Sequence, residues 1–431
     1  MINLRLLNEP DSLSLHSNFL MIDEHGAKLD DVASEALGLL EEAGLRRRLR
    51  LLEGRGDGAV VQMHGKSYVN FSSNDYLGLA SSEVLKKAML EAVEEYGVGS
   101  GASRLVCGNW LPHHELEQEI ARFKQTEAAL TFSSGHAVSV GVLPALCGPG
   151  DTIILDKLSH ASLIDGAKLS GATIRVFPHN HVEKLERLLA SARANHARGK
   201  ILIVTESVFS MDGDCSPLMK IVELKERYDA WLLVDEAHAF GLLGPQGRGL
   251  AAGLNIQHKI ELHMGTLSKA AGVSGGYLAT SQNVVDLLIN KARSLVYSTA
   301  PSPAVARTAT AAVRLLAGEE GERRRQALWA ARSHLLSLLP ALNLEPVAAI
   351  VPLLAGDEKR AASAAAGLLE DGFFVPAIRY PTVARGAARL RVTLSALHER
   401  VQIEGLVTSL RHVLPEMWTA AASEVTPQAT L

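Results

Sequence analysis

Trp231-Leu232-Leu233-Val234-Asp235-Glu236-Ala237-His238 is the stretch on which the fold turns. Its four leading apolar residues are too few for a helix and show no alternation, so they read as a strand buried on both faces and ending in a carboxylate. Runs of the same kind recur at Ala129–Phe132, Thr152–Leu155 and Ile201–Val204. Between them lie amphipathic helical stretches, among them His113–Lys124, Val182–Ala194 and Pro217–Tyr228. Strands alternating with helices predict an α/β fold with a mostly parallel sheet covered on both faces, over about Ser82 to Pro301. Ligands of such sheets gather at the carboxyl ends of the strands, where Ser210, Asp235, His238 and Lys269 all fall.

Lys269 stands in Gly265-Thr266-Leu267-Ser268-Lys269-Ala270-Ala271-Gly272, about thirty residues after Asp235. A lysine past a buried strand, with hydroxyls before it and small residues after it, suits an imine to pyridoxal 5'-phosphate (PLP). Asp235 can hold the pyridine nitrogen of that cofactor protonated, and His238 can reach its 3-hydroxyl from the same strand end. An isolated lysine would be read as a surface residue; the upstream Asp and His change that. The letters Asp-Glu-Ala-His also occur in ATP-driven helicases, which need a Gly-x-x-x-x-Gly-Lys-Ser/Thr loop. The nearest approach is Gly65-Lys66-Ser67, and the residue five before Gly65 is Val60. The helicase reading fails.

With 431 residues the chain can bury a large core and form more than one domain. A net charge of −4 leaves no electrostatic footprint for nucleic acid. Cys107, Cys147 and Cys215 are far apart and form no Cys-x-x-Cys pair, which argues against a disulfide framework or thiol metal site. No His/Asp/Glu set has convincing metal spacing. With no signal-peptide pattern and no run of eighteen apolar residues, the expected location is the cytoplasm, away from membranes.

The expected organisation is an N-terminal segment over 1–75, a large PLP-binding domain over 76–301, a smaller α+β domain over 302–414, and a frayed tail over 415–431. Residues 1–30 carry no assignable pattern. A helix is expected from Asp31 to about Leu52, and a strand pair at 59–63 and 67–71. Strands are expected in the C-terminal part at 346–354, 373–378 and 388–394, after a helix-rich stretch from Ala304 to Leu339.

Five ordered segments then carry a resemblance: Asn70-Phe71-Ser72-Ser73-Asn74-Asp75-Tyr76-Leu77-Gly78-Leu79, Ser159-His160-Ala161-Ser162-Leu163, Val208-Phe209-Ser210-Met211-Asp212-Gly213-Asp214, Val296-Tyr297-Ser298-Thr299 and Ala377-Ile378-Arg379-Tyr380-Pro381-Thr382-Val383. From about Arg46 to about Leu410 the chain resembles the α-oxoamine synthases, fold type I PLP enzymes that join an amino acid to an acyl thioester. It resembles most their biotin-pathway branch. The resemblance implies condensation of L-alanine with pimeloyl-CoA, or with pimeloyl carrier protein, and release of CO2 and free thiol. Glycine with acetyl-CoA stays open, because one methyl group is worth only ~1–3 kcal/mol of discrimination. A non-catalytic subunit of this fold would be expected to have lost Lys269, and the thioester-side segments weigh against a plain aminotransferase.

The resemblance also implies roles. Gly135 and His136, where a strand turns into a helix, match the phosphate-binding turn, and backbone N–H groups at a helix start suit an anion. The family usually has an aromatic residue where His136 stands. His160 matches the histidine that stacks on the cofactor ring, Ser210 a contact to its 3-hydroxyl side, and Thr266 a phosphate contact. Ser298 and Thr299 match the segment that reaches the phosphate from a second subunit, which implies a homodimer with the site at its interface. Arg379 and Arg391 match the arginines that hold the amino-acid carboxylate, for which a planar guanidinium fork is suited. Asn74, Thr382 and Arg46 fall on the substrate side; Tyr380 stands where the family more often has Pro.

Overall fold

The computed structural model describes residues 28–56, 58–195, 199–339 and 348–419. The N-terminal stretch up to residue 27, the expected tail from residue 420 and the first two residues of the expected 346–354 strand lie outside them. Helix α1 (Leu29–Glu42) buries none of its side chains. It stops ten residues short of the expected end because Gly44 turns left-handed (φ 64°) while the Ala43 N–H closes back on Leu39. Strands β1 (Gly54–Arg55), β2 (Val60–Met63) and β3 (Lys66–Asn70) follow as an antiparallel ribbon.

After helices α2 (Glu83–Tyr96) and α3 (Leu111–Lys124) come β4 (Ala128–Phe132), α4 (Gly135–Leu146), β5 (Thr152–Asp156), α5 (Ala161–Ser170), β6 (Thr173–Phe177) and α6 (Val182–Asn195). The alternation continues through β7 (Ile201–Glu206), α7 (Leu218–Arg227), β8 (Trp231–Asp235), β9 (Leu262–Thr266), β10 (Gly276–Thr280) and α8 (Gln282–Lys291). The seven strands form one sheet in the order β4-β10-β9-β8-β7-β5-β6. Pairs from β9 through β6 are parallel, and β10 runs antiparallel to both its neighbours. The alternation of strands and helices was legible in the sequence. The edge strand β6 was not, because Arg175 interrupts its apolar run.

Side-chain alternation explains why the middle residues of β7 and β8 are apolar on both faces. Leu202, Val204 and Leu233 pack under α4 and α5, whereas Ile201, Ile203, Leu232 and Val234 pack under α6 and α7. Each such fully buried side chain contributes about 1.5–3 kcal/mol.

Helices α9 (Pro303–Ala317) and α10 (Glu319–Leu338) lead to β11 (Ile350–Gly356), α11 (Glu358–Glu370), β12 (Phe373–Phe374), β13 (Ala377–Ile378), β14 (Ala388–Thr393) and α12 (Arg400–Val413). The expected 373–378 strand is split. Pro376 has no N–H to donate, and the two halves join different sheets: β12 pairs with β3, and β13 with β14. One apolar cluster runs from Phe71 and Leu77 through α3 and α9 into β11, β14 and α12. Among the described residues no helix is long and apolar enough to cross a membrane.

Candidate active site

Carboxyl ends of β7, β8 and β9 open into a cavity of about 250 Å³. Asp235, His238, Thr266, Lys269, Gly135, His136 and His160 all line it. Sequence reasoning had placed Asp235, His238 and Lys269 at strand ends and Gly135 and His136 at a helix start, and had named His160 and Thr266 from the resemblance; the fold brings all seven to one cavity.

Lys269 is the centre of the arrangement. Its Nζ lies 2.7 Å from His238 Nε2, and His238 Nδ1 lies 2.6 Å from the Tyr76 hydroxyl. That hydroxyl is 3.2 Å from Asn74 Oδ1, which also accepts from Arg391 Nη2 at 3.1 Å. A continuous hydrogen-bonded path therefore joins Lys269 to Arg391. Tyr76 has one proton for two acceptors, so the His238 tautomer and the direction of that hydroxyl are linked.

Burial sets the charges. It lowers the Lys269 amine to about 8, against the pull of Asp235 and Glu206. It holds His238 well below the usual imidazole range, with Lys269 and Arg391 adding to the effect. It raises the Asp235 carboxyl, which the Lys269 charge opposes, and it pushes Tyr76 up to about 12. His160 keeps open surface toward the cavity mouth. Loss of water on its inner side and the Lys269 charge lower it to about 4. Its Nδ1 accepts from the Ser162 N–H at the start of α5, which fixes the ring.

The start of α4 forms the wall beside Thr266. Ser134 caps the helix by accepting from the Ala137 N–H. A Cβ on Gly276 would lie 2.6 Å from the Gly135 nitrogen, so only glycine lets β10 pass behind this turn. Thr266 Oγ1 lies 2.7 Å from Ser268 Oγ and donates to the Gly275 carbonyl. N–H groups at a helix start beside two hydroxyls make a place for a phosphate. The exposed His136 side chain turns to Asp165 at 3.8 Å.

Other expected residues sit elsewhere. Arg391 is buried, donating to the Ser210 carbonyl (2.6 Å) and Thr393 Oγ1 (3.0 Å). Arg379 instead donates to the Gly44 carbonyl at the surface, and Arg46 pairs with Glu41 at 3.1 Å. Arg47, not Arg46, reaches Thr382 Oγ1 (3.2 Å). Ser298 and Thr299 do not line the cavity; Thr299 bridges to Ser103, and neighbouring Tyr297 is 72% exposed.

Glu206 was missed. It sits level with Asp235 on the adjacent strand, buried, and its Oε1 has no hydrogen-bond partner. Burial and the Asp235 charge raise it far above the usual carboxylate range. Its signal was available: Ile201–Glu206 ends in a carboxylate as Trp231–Asp235 does. Ser268 was read only as one of the hydroxyls before Lys269, without a role of its own. Behind the site, Lys124 and Glu236 pair out of water, and Lys124 also donates to the Arg248 carbonyl. Burial alone would raise Glu236, but Lys124 holds it below its ordinary value.

The model of the aminotransferase class I and II family matches residues 66–410. The 8-amino-7-oxononanoate synthase of Herminiimonas arsenicoxydans is 45% identical over 381 residues, 87% of this chain and 97% of that one. Among solved structures, a serine palmitoyltransferase from S. paucimobilis with PLP and myriocin bound superposes with a TM-score of 0.84 at 28% identity, covering 91% of this chain and all of that one. An 8-amino-7-oxononanoate synthase from Francisella tularensis gives a TM-score of 0.70 at 28% identity, covering 81% and 99%. The chain belongs to the aminotransferase class I and II family, and within it to the α-oxoamine synthases, fold type I enzymes.

Proposed function

We propose that this chain condenses L-alanine with a pimeloyl thioester, of CoA or of a carrier protein, to give 8-amino-7-oxononanoate, CO2 and free thiol for biotin synthesis. PLP is the cofactor in this reading. The observation that carries it is the Lys269 amine, lowered to about 8 and facing the Asp235 cavity, in a chain whose curated relatives over most of its length are 8-amino-7-oxononanoate synthases. The cavity fits PLP: a glycine-flanked helix start and the Thr266 and Ser268 hydroxyls for the phosphate, a buried carboxylate for the pyridine nitrogen, and an amine for the aldehyde.

When bound, PLP supplies an electron sink for negative charge developing at the amino-acid α-carbon. Asp235 would keep the pyridine nitrogen protonated, His160 would face the ring, and His238 and Ser210 would serve its 3-hydroxyl side. Lys269 Nζ takes the α-proton, and near neutral pH a useful fraction of it is free amine. Arg391, steadied by Asn74, holds the amino-acid carboxylate. Arg379 joins it only by leaving Gly44, and Thr382 borders the acyl side. Burial and the Asp235 charge shift Glu206 toward its neutral form, which favours a single negative charge at this pair of strand ends.

We further propose a cytoplasmic homodimer in which Ser298 and Thr299 of one subunit approach the phosphate site of the other. The exposure of that segment supports this, and a sedimentation mass of one chain would refute it. The deciding assay is thiol release by the PLP-loaded protein, with L-alanine and pimeloyl-CoA set against glycine and acetyl-CoA. Preference for the first pair is expected. Preference for the second would move the chain to glycine acetylation with the same residues.

A further inference from the structure

The proposed product defines a requirement that the reaction centre does not meet. In 8-amino-7-oxononanoate the acid group lies at the far end of the chain from the amino ketone. With alanine supplying the last two carbons, the acyl donor must carry a second carboxylate beyond its methylenes. This inference rests on that functional reading. Arg391 is engaged on the amino-acid side, Arg46 with Glu41, and Arg379 with Gly44.

A second cavity, of about 260 Å³, lies between the loop after β5 and the turn before β14. It is lined by Lys157, Leu158, Pro178, Thr382, Val383 and Arg389, among others. Its size is just below the range of drug-sized pockets, which suits a short chain. Lys157 is three residues before His160, so one loop borders both cavities. The apolar members offer walls for methylenes. Of the charged members, Arg389 is already neutralised by Asp212 at 2.6 Å. His179 is held between Asp156 (3.0 Å) and Asp214 (2.7 Å). Among the described residues, no carboxylate pairs with Lys157. A carboxylate entering an apolar channel needs such a cation, because leaving water unpaired is costly.

We propose that this cavity takes the acyl chain and that Lys157 binds its terminal carboxylate, selecting dicarboxylic over monocarboxylic acyl thioesters. The test uses the holoenzyme with saturating L-alanine and two thioesters of equal length, pimeloyl-CoA and heptanoyl-CoA. Lys157→Met keeps the apolar stem and removes the charge. It is expected to raise KM for pimeloyl-CoA about tenfold, the scale of one partly solvated charge-assisted hydrogen bond. Its kcat should stay within about twofold, heptanoyl-CoA should be unaffected, and Lys157→Arg should restore most of the loss. Equal KM changes for both thioesters would assign Lys157 to the CoA moiety and overturn the proposal. No change would also overturn it, as would selective loss on Arg47→Met instead. A wild-type enzyme inactive with the pimeloyl group, as CoA or carrier-protein thioester, overturns the functional reading itself; the variant comparisons overturn only this inference.

Discussion

Lys269 shows how burial converts a surface-type side chain into a reagent. An amine lowered to about 8 is mostly ammonium below that pH and mostly nucleophile above it. The rate at which PLP enters the apoprotein should therefore rise as pH increases through about 8, well below the range of an ordinary lysine; stopped-flow absorbance would show it. Lys269→Ala should lose turnover, and borohydride should fix PLP to the wild type but not to this variant. Lys124→Met leaves the Glu236 charge buried without its partner and should cost about 3–5 kcal/mol in urea unfolding. Positions written in local order, such as those of Lys269, Asp235 and the Gly135 turn, were legible in the sequence. Those set by which neighbour captures a side chain were not. Arg379 and Arg391 look alike along the chain, yet one meets the exposed Gly44 carbonyl and the other the buried Ser210 carbonyl. Tyr76 lay inside a quoted segment, and only the fold brings it to His238, which is 162 residues away.

Helices and strands of the central sheet followed from runs and periodicity, and the departures from expectation have local causes. Gly44 ends α1, Arg175 hides β6, and Pro376 divides an expected strand between two sheets. At this scale Gly276→Ala is the sharpest probe. Its Cβ meets the backbone of Ser134 and Gly135, so β10 or the α4 start must move. PLP affinity should fall at least tenfold, measured by fluorescence titration, while circular dichroism stays near native. His179 pins the turn after β6 to the end of β5 and to the loop after β7. Burial would lower its imidazole, but Asp156 and Asp214 hold it up at about 10. A folded value raised above the unfolded one gives stability that is complete below about 6.5 and lost as pH rises through about 10. The stability gap between wild type and His179→Gln should therefore narrow over that window, by at most about 1.4 kcal/mol per pH unit in chemical denaturation.

Across the whole molecule, the apolar cluster joining Phe71 and α3 to β14 and α12 ignores the boundary expected near residue 301. We propose that the 76–301 and 302–414 units are distinct in function but share this core. Urea unfolding followed by tryptophan fluorescence and by circular dichroism should then give coincident transitions. The order of the central sheet carries a consequence in time. Among the described residues, β4 finds its sheet partner only in β10, where Leu130 lies opposite Leu278. The phosphate turn that follows β4 is backed by Gly276 at the start of the same late strand. At translation rates of roughly 5–20 residues per second, β4 waits on the order of ten seconds for its neighbour. During that interval the nascent chain has an open edge and no cofactor pocket. A cofactor held at this turn would therefore engage only after β10 has been made, and could not guide the folding that precedes it.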